Sequence, residues 1–66
     1  MQIVVNGHPR AAAEQLALPV LIEELRLGDR RVAVELNGAI VPRSAWPQTR
    51  LADGDRLEIV HAIGGG

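Results

Sequence analysis

A chain of 66 residues with a formal net charge of −1 is long enough for one domain, but leaves little room for a catalytic cleft beside its core. Hydrophobic residues make up 47% of it, which excludes a disordered composition, and the absence of a basic excess argues against nucleic-acid binding. The chain has no cysteine, no apolar run near the roughly 20 residues of a membrane span, and no signal-peptide pattern at its start. We therefore expect a cytoplasmic protein that acts through protein partners, without membrane or nucleic acid, rather than as an enzyme.

The amino-terminal segment predicts a β-hairpin. Ile3 and Val5 alternate with polar neighbours, which is typical of a strand over residues 1–6. Asn6-Gly7 is a hairpin signal, because both residue types tolerate positive φ. We therefore expect a second strand over roughly residues 8–13.

One amphipathic helix follows the hairpin. Its apolar stripe has the spacing i, i+3, i+4, i+7 and consists of Leu18, Leu21, Ile22 and Leu25. Pro19 fits the first turn, where its missing N–H costs nothing, and Gly28 is placed to end the helix in a left-handed cap. No capping side chain precedes Pro19, so we expect this helix to depend on packing.

The second half of the chain begins with another predicted hairpin. The alternation from Val32 to Leu36 predicts a third strand, and Asn37-Gly38 repeats the hairpin signal. A short return strand at Ile40 and Val41 is stopped by Pro42, which cannot donate a hydrogen bond to a ladder.

A short connection leads to the last strand. Arg43 to Trp46 predicts a single helical turn closed by Pro47, and Asp53-Gly54-Asp55 predicts a tight turn. The last strand is expected over Arg56 to His61. Its two faces carry Leu57 and Ile59 on one side, and Glu58 and Val60 on the other.

The order β-β-α-β-β-β predicts an α+β fold in which a mixed β-sheet packs on one main α-helix. The first and last strands can then lie side by side and parallel at the centre, which is the β-grasp arrangement. We expect residues 1–62 to form this domain and residues 63–66 to form a flexible tail. The predicted core consists of Ile3, Val5, Leu21, Ile22, Leu25, Val34, Leu57 and Ile59.

Three glycines directly follow the last strand, after Ile63. A frayed terminus is the simplest explanation of such a sequence. A chemical explanation is that a carboxylate activated by another protein must enter its active site, and Gly64 and Gly65 have no Cβ to obstruct that passage. The acyl carbon of Gly66 would be unhindered, and the tail would reach about 10–14 Å from Ile63 when extended.

These residues resemble the thiamine-biosynthesis sulfur carriers, the ThiS family of ubiquitin-like proteins. The resemblance covers essentially the whole chain. It rests on Leu36-Asn37-Gly38, Ile40-Val41-Pro42-Arg43, Trp46, Asp53-Gly54-Asp55, Leu57-Glu58-Ile59-Val60 and Gly65-Gly66. The diglycine is shared with molybdopterin-synthase small subunits and ubiquitin-like modifiers, whereas the Val-Pro-Arg-x-x-Trp segment points more narrowly to ThiS. The Leu-Pro helix start departs from the family, in which a capping residue is more common.

The resemblance implies a sulfur-transfer cycle that this chain does not catalyse itself. A ubiquitin-activating-type adenylyltransferase uses Mg-ATP to adenylate Gly66, and a cysteine desulfurase relay supplies persulfide sulfur to give a thiocarboxylate. Thiazole synthase then receives the sulfur. No phosphate-binding loop followed by Lys is present in the sequence, so ATP and Mg should bind the partner.

Other candidate residues have simpler explanations. Asp53-Gly54-Asp55 lacks the remaining ligands of a calcium loop, and His8 and His61 match no zinc spacing. We expect Trp46 to fill the core over the sheet edge rather than to bind a ligand. Arg43 either contacts a partner or solvates its turn.

Strand alternation turns Val4, Ala33, Val60 and Ala62 away from the helix. We expect Val4 and Val60 to lie side by side and, with Ala62 and Ile63, to bind the activating enzyme and thiazole synthase in turn. The sequence leaves two alternatives open. The sulfur acceptor could be molybdopterin or tRNA, or the chain could be a β-grasp interaction module with no covalent role.

Overall fold

The computed structural model describes residues 1–28 and 30–61. Its elements are β1 (Gln2–Val5), β2 (His8–Ala11), α1 (Leu18–Glu24), β3 (Val32–Leu36), β4 (Ala39–Ile40), a 3₁₀ helix (Arg43–Gln48) and β5 (Arg56–His61). The predicted order of strands and helix is therefore confirmed. The bounds of three strands differ from the prediction: β1 spans Gln2–Val5 rather than residues 1–6, β2 ends at Ala11, and β4 consists of Ala39 and Ile40 rather than Ile40 and Val41.

The five strands form one mixed sheet in the order β2-β1-β5-β3-β4. β1 and β5 pair in parallel at its centre, with Val4 opposite Arg56 and Val5 opposite Leu57, and the other pairs are antiparallel. The predicted central pair is confirmed. It is possible because α1 separates the two outer hairpins along the chain and packs against one face of the sheet.

Both predicted Asn-Gly turns are present. Asn6 and Asn37 each have φ of 52°, and the glycines that follow have φ of 83° and 86°. Positive φ at both central residues is the type I′ geometry, whose twist matches that of the flanking strands. The hairpins β1–β2 and β3–β4 are therefore set by local sequence.

The amino terminus of α1 is held by the chain rather than by a capping side chain. Ala17 occupies the N-cap position and makes no side-chain cap hydrogen bond. The backbone N–H of Leu18 instead donates to the carbonyl of Thr49 at 2.9 Å, and Ala17 forms an isolated β-bridge with Arg50. The helix start thus depends on a distant segment of the chain, as the weak N-cap predicts.

The predicted cap at Gly28 is wrong, because the helix ends earlier. Arg26 is the left-handed residue, with φ of 61°. Its N–H donates to the carbonyl of Glu23 at 2.9 Å, and the N–H of Leu27 donates to the carbonyl of Ile22 at 3.0 Å. These two bonds define a Schellman motif, which reverses the chain early enough for Leu27 to pack against the core.

The core lies between α1 and one face of the sheet, and seven of its eight predicted members are buried. The exception is Leu25, which is only partly buried because it already lies beyond the last helical residue. Leu16 and Leu51 complete the core from segments without regular periodicity, and the N–H of Leu51 donates to the carbonyl of Leu16 at 2.9 Å. Leu18, on the predicted stripe, is fully buried.

The 3₁₀ helix closes one edge of this core. Trp46 is buried, as predicted, and its Nε1–H donates to the carbonyl of Val41 at 3.0 Å. The guanidinium of Arg43 lies 4.9 Å from the centroid of the Trp46 ring, within cation–π range. Pro47 lies inside the 3₁₀ helix, which continues to Gln48, so the prediction that this proline closes the turn is wrong.

Candidate functional site at the carboxyl end of strand β5

Strand β5 leads directly to the glycine-rich end of the chain, since His61 is both its last residue and the last residue that the structure describes. The predicted site residues Ala62, Ile63, Gly64, Gly65 and Gly66 lie outside the described residues, and so does the predicted domain boundary at residue 62. The described part of the site is therefore the end of strand β5, which precedes these residues in the chain.

The two sides of β5 are paired over different lengths. β3 accompanies β5 to its end, where Val32 lies opposite His61. On the other side β1 pairs only as far as Val5 and Leu57, because the chain then turns into β2. Ile59 and His61 therefore extend past the end of β1.

The side chain of Asn6 fills part of this gap. Its Nδ2–H donates to the carbonyl of Ile59 at 3.0 Å, and the N–H of Ile59 donates to Oδ1 of Asn6 at 2.7 Å. The backbone N–H of Asn6 donates to the carbonyl of Leu57 at 2.9 Å. One residue thus continues the ladder beyond β1. Sequence reasoning assigned Asn6 only to the turn, and no pattern in the sequence distinguishes an asparagine with this second role.

The open face of the sheet does not have the predicted arrangement. Val4 lies opposite Arg56, and Val60 is four residues further along β5, about 13 Å at 3.3 Å per residue. The expectation that Val4 and Val60 lie side by side is therefore wrong. It assumed a shared register, whereas β1 meets only the first part of β5. Val60 instead lies opposite Ala33 of β3.

An apolar and acidic surface occupies the open face near the end of β5, and we call it the open-face patch. It consists of Ala33, Glu35, Ile40, Glu58 and Val60. Cross-strand pairing places Ala33 opposite Val60, Glu35 opposite Glu58, and Ile40 opposite Glu35. Val60 and Ile40 are 56% and 65% exposed, which makes them two of the three large hydrophobic side chains exposed in the described part of the chain.

The Asp53-Gly54-Asp55 segment is a turn, as predicted. Gly54 has φ of 86°, and the N–H of Asp55 donates to the carbonyl of Ala52 at 3.1 Å. Asp53 accepts a hydrogen bond from the N–H of Gln2, and Asp55 accepts one from the N–H of Ala52, both at 2.8 Å. The Asp53 carboxylate thus connects this turn to β1, and the Asp55 carboxylate stabilises the turn by bonding a residue within it.

His8 and His61 both lie in strands and are exposed. Among residues 1–28 and 30–61, no group of three His, Cys, Asp or Glu side chains could hold a metal ion. No helix in these two ranges is long and apolar enough to cross a membrane.

The sheet has the β-grasp order, and its central strand β5 is followed in the sequence by Ala62, Ile63 and three glycines. This combination is typical of small ubiquitin-like proteins. The ThiS family model matches residues 3–66, so the chain belongs to the ThiS family. It is 33% identical to the sulfur carrier protein ThiS of Escherichia coli over the full length of both chains. It also superposes on the crystal structure of the thiamine biosynthesis protein (ThiS) from Geobacter metallireducens with a TM-score of 0.87 and 38% identity, and both chains are covered completely.

A further similarity is to part of a longer protein. Over all 66 residues, the chain is 46% identical to a segment of a thiazole synthase from Paramagnetospirillum magneticum. The chain spans 20% of the length of that relative and 20% of a second thiazole synthase, from Magnetococcus marinus, to which it is 39% identical.

Proposed function

We propose that this chain is a cytosolic sulfur carrier of thiamine biosynthesis, and that its Gly66 carboxylate becomes a thiocarboxylate. The observation that carries the proposal is the match to the ThiS family, which includes Gly66 itself. Family membership also assigns the chain the role of a carrier rather than a catalyst. The geometry supports this role, because the tail follows a central strand fixed by β3, β1 and Asn6.

The chemistry requires an activating partner, because a carboxylate has no good leaving group. A carboxylate oxygen of Gly66 attacks the α-phosphorus of ATP in the active site of a ubiquitin-activating-type adenylyltransferase and releases pyrophosphate. A persulfide from a cysteine desulfurase relay then attacks the acyl carbon and displaces AMP. A thiol then attacks the outer sulfur of the resulting acyl disulfide, forms a new disulfide with it and releases the thiocarboxylate. ATP and its Mg²⁺ belong to the partner, and Gly64 and Gly65 provide narrow backbone for entry.

Thiazole synthase is the proposed sulfur acceptor. Two relatives named thiazole synthase contain a segment similar to all 66 residues of this chain. Covalent linkage of two domains gives each a high effective concentration of the other, which is useful where the two act together. We infer that this chain and a thiazole synthase on a separate chain act together as the two linked domains do. This inference favours thiazole formation over molybdopterin or tRNA thiolation.

The open-face patch is the proposed docking surface for the activating enzyme. Val60 offers exposed apolar area next to the end of β5, and Ile40 offers more on β4, two strands away at the level of Glu58. Glu35 and Glu58 lie opposite each other across β3 and β5, and like charges in such a pair destabilise a sheet. A partner with arginine or lysine side chains would relieve that repulsion on binding, so the patch fits an apolar surface with basic residues. Val4 lies outside the patch, and we assign the role once predicted for it to Ile40.

Intact mass spectrometry tests the proposed carrier function. The chain is incubated with the activating enzyme, ATP and a persulfide donor. We expect the wild-type chain to gain the mass difference between one sulfur and one oxygen. The chain lacking Gly66 should gain nothing, because its carboxylate would stop one residue short of the ATP phosphates. Gly65→Val should also fail, since its β-branch is bulky and restricts the backbone.

A chain with one extra residue after Gly66 is the matched control, because it keeps every native residue and loses only the position of the carboxylate. It should also gain no sulfur. All of these variants should keep the wild-type circular dichroism and Tm, since the changes lie beyond β5. Sulfur on the chain that lacks Gly66 would refute the proposal and favour a non-covalent interaction module. Adding thiazole synthase together with the precursor that takes up the sulfur should return the carrier, after hydrolysis of its acyl group, to its original mass.

A further inference from the structure

Near the end of β5, the side chain of Asn6 makes the hydrogen bonds that a neighbouring strand would ordinarily make. The hydrogen-bonding groups of β5 alternate between its two neighbours, and those of Leu57 and Ile59 face β1. Leu57 is bonded by the backbone of Asn6, and Ile59 is bonded on that side by the Asn6 amide. The Asn6 amide therefore secures the last part of β5 before His61.

This contact requires asparagine, although the turn itself does not. A carboxamide presents an N–H donor and a carbonyl acceptor side by side on one edge, so it can bond both the carbonyl and the N–H of Ile59. Aspartate at this position would keep the acceptor but would direct a carboxylate oxygen at the Ile59 carbonyl. Glycine would keep the positive φ of the turn and lose both bonds. The side chain of Asn6 therefore adds something that the type I′ turn alone does not need.

We propose that Asn6 is a positioning residue for the carrier reaction, and that its amide fixes the direction in which β5 presents residues 62–66 to the activating enzyme. This inference rests on the proposed function. Loss of the amide leaves the open-face patch in place, so the carrier still docks. A smaller fraction of docked molecules then has its carboxylate at the ATP phosphates, and the maximal rate falls while the concentration needed for docking stays the same.

Asn37 provides a matched control within the same chain. It has the same φ of 52°, also precedes glycine in a type I′ turn, and also bonds β5 with its side chain. Its Oδ1 accepts from the N–H of Arg56, and its Nδ2–H donates to Oδ1 of Asp55, both at 3.0 Å. These bonds lie at the amino end of β5, far from the tail. Asn37→Gly and Asn6→Gly therefore each remove two side-chain hydrogen bonds. Asn6 makes both of its bonds to Ile59 in the second half of β5, whereas Asn37 bonds the first residue of β5 and the carboxylate of Asp55 just before it.

The test is ATP–pyrophosphate exchange by the activating enzyme as a function of carrier concentration, for the wild-type chain and both glycine variants. We expect Asn6→Gly to lower kcat at least about fivefold with KM nearly unchanged, because removing two hydrogen bonds shifts a local equilibrium by at least this factor. Asn37→Gly should keep the wild-type kcat. If its stability falls, the loss of folded carrier should raise only the apparent KM.

The outcomes separate this inference from the function it rests on. If the wild-type chain supports no exchange, the proposed function fails and the inference fails with it. If the wild-type chain is active and the two glycine variants have equal kcat values, the inference alone is overturned. Where Asn6→Gly does not fold, Asn6→Asp is compared with Asn37→Asp, because each keeps the acceptor and loses the donor.

Amide hydrogen exchange provides a readout that does not depend on any partner. In Asn6→Gly, the Ile59 amide should exchange at least about tenfold faster than in the wild-type chain, while the Val60 amide, which faces β3, should change much less. In Asn37→Gly the faster amide should be that of Arg56. Unchanged protection of Ile59 in Asn6→Gly would show that the amide does not hold the end of β5, and would overturn the inference.

Discussion

Arg26 offers a direct test of how helix α1 ends. It occupies the left-handed position of the Schellman motif, with φ of 61°, where glycine is the usual residue. Its side chain is exposed and forms no salt bridge within the described part of the chain. We therefore expect Arg26→Gly to stabilise the protein.

The size of the effect follows from two opposing terms. A non-glycine residue in the left-handed region loses about 1–2 kcal/mol to the clash of its Cβ with the following carbonyl, and glycine avoids this loss. Glycine in turn loses more backbone entropy on folding, about 0.5–1 kcal/mol. The net gain in the free energy of unfolding is about 0.5–1 kcal/mol, which raises Tm by about 2–8 °C in a domain of this size.

Thermal denaturation followed by circular dichroism measures this gain, and Arg31→Gly is the control. Arg31 is exposed, lies five residues further along the chain, and does not have positive φ. Its replacement removes the same charge and adds the same backbone freedom without relieving left-handed strain, so it should lower stability by about 0.4–1 kcal/mol. If Arg26→Gly lowered Tm as much as Arg31→Gly, the left-handed strain at Arg26 would not be a significant cost.

The remaining predictions concern the core and the docking surface. Ile59→Ala should lower the free energy of unfolding by about 2–5 kcal/mol because Ile59 is buried, whereas Leu25→Ala should cost clearly less because Leu25 is only partly buried; equal midpoints in urea denaturation would contradict this order. Val60→Asp should raise the KM of the activating enzyme about tenfold in pyrophosphate exchange without lowering kcat. Val20→Asp is its control, since Val20 is also exposed but lies on α1, and an equal effect of both changes would count against the open-face patch.

The features that could be predicted from sequence are those fixed over a few neighbouring residues. Both Asn-Gly turns, the alternation of β5 and the stripe of α1 are local patterns, and the structure confirms them. The end of α1 could not be read in the same way. Gly28 satisfies the local rule for a cap, but the packing of Leu27 against the core selects an earlier reversal at Arg26. Tertiary contact overrides glycine preference at that point.

The chemistry of the site stays a prediction, which rests on the glycines after β5 and on the family resemblance. The geometry of the described part of the site was predicted less well. The register between β1 and β5 depends on a long-range pairing that no local pattern encodes, so Val4 and Val60 were placed side by side incorrectly. The role of the Asn6 side chain was missed for the same reason, because its partner Ile59 is 53 residues away in the chain.

The shape of the sheet fits the task of a carrier that must present its end. Leu57 has a strand on each side, whereas His61 has only β3 as a neighbouring strand. A sheet that narrows in this way leaves room for a partner to surround the start of the tail, but it also removes the hydrogen bonds that would hold that start in line. The Asn6 amide resolves the conflict, because it supplies one more step of the ladder without the bulk of another strand. The hydrogen bonds between Asn6 and Ile59 therefore hold the end of β5 in place while leaving that side of the strand open to a partner.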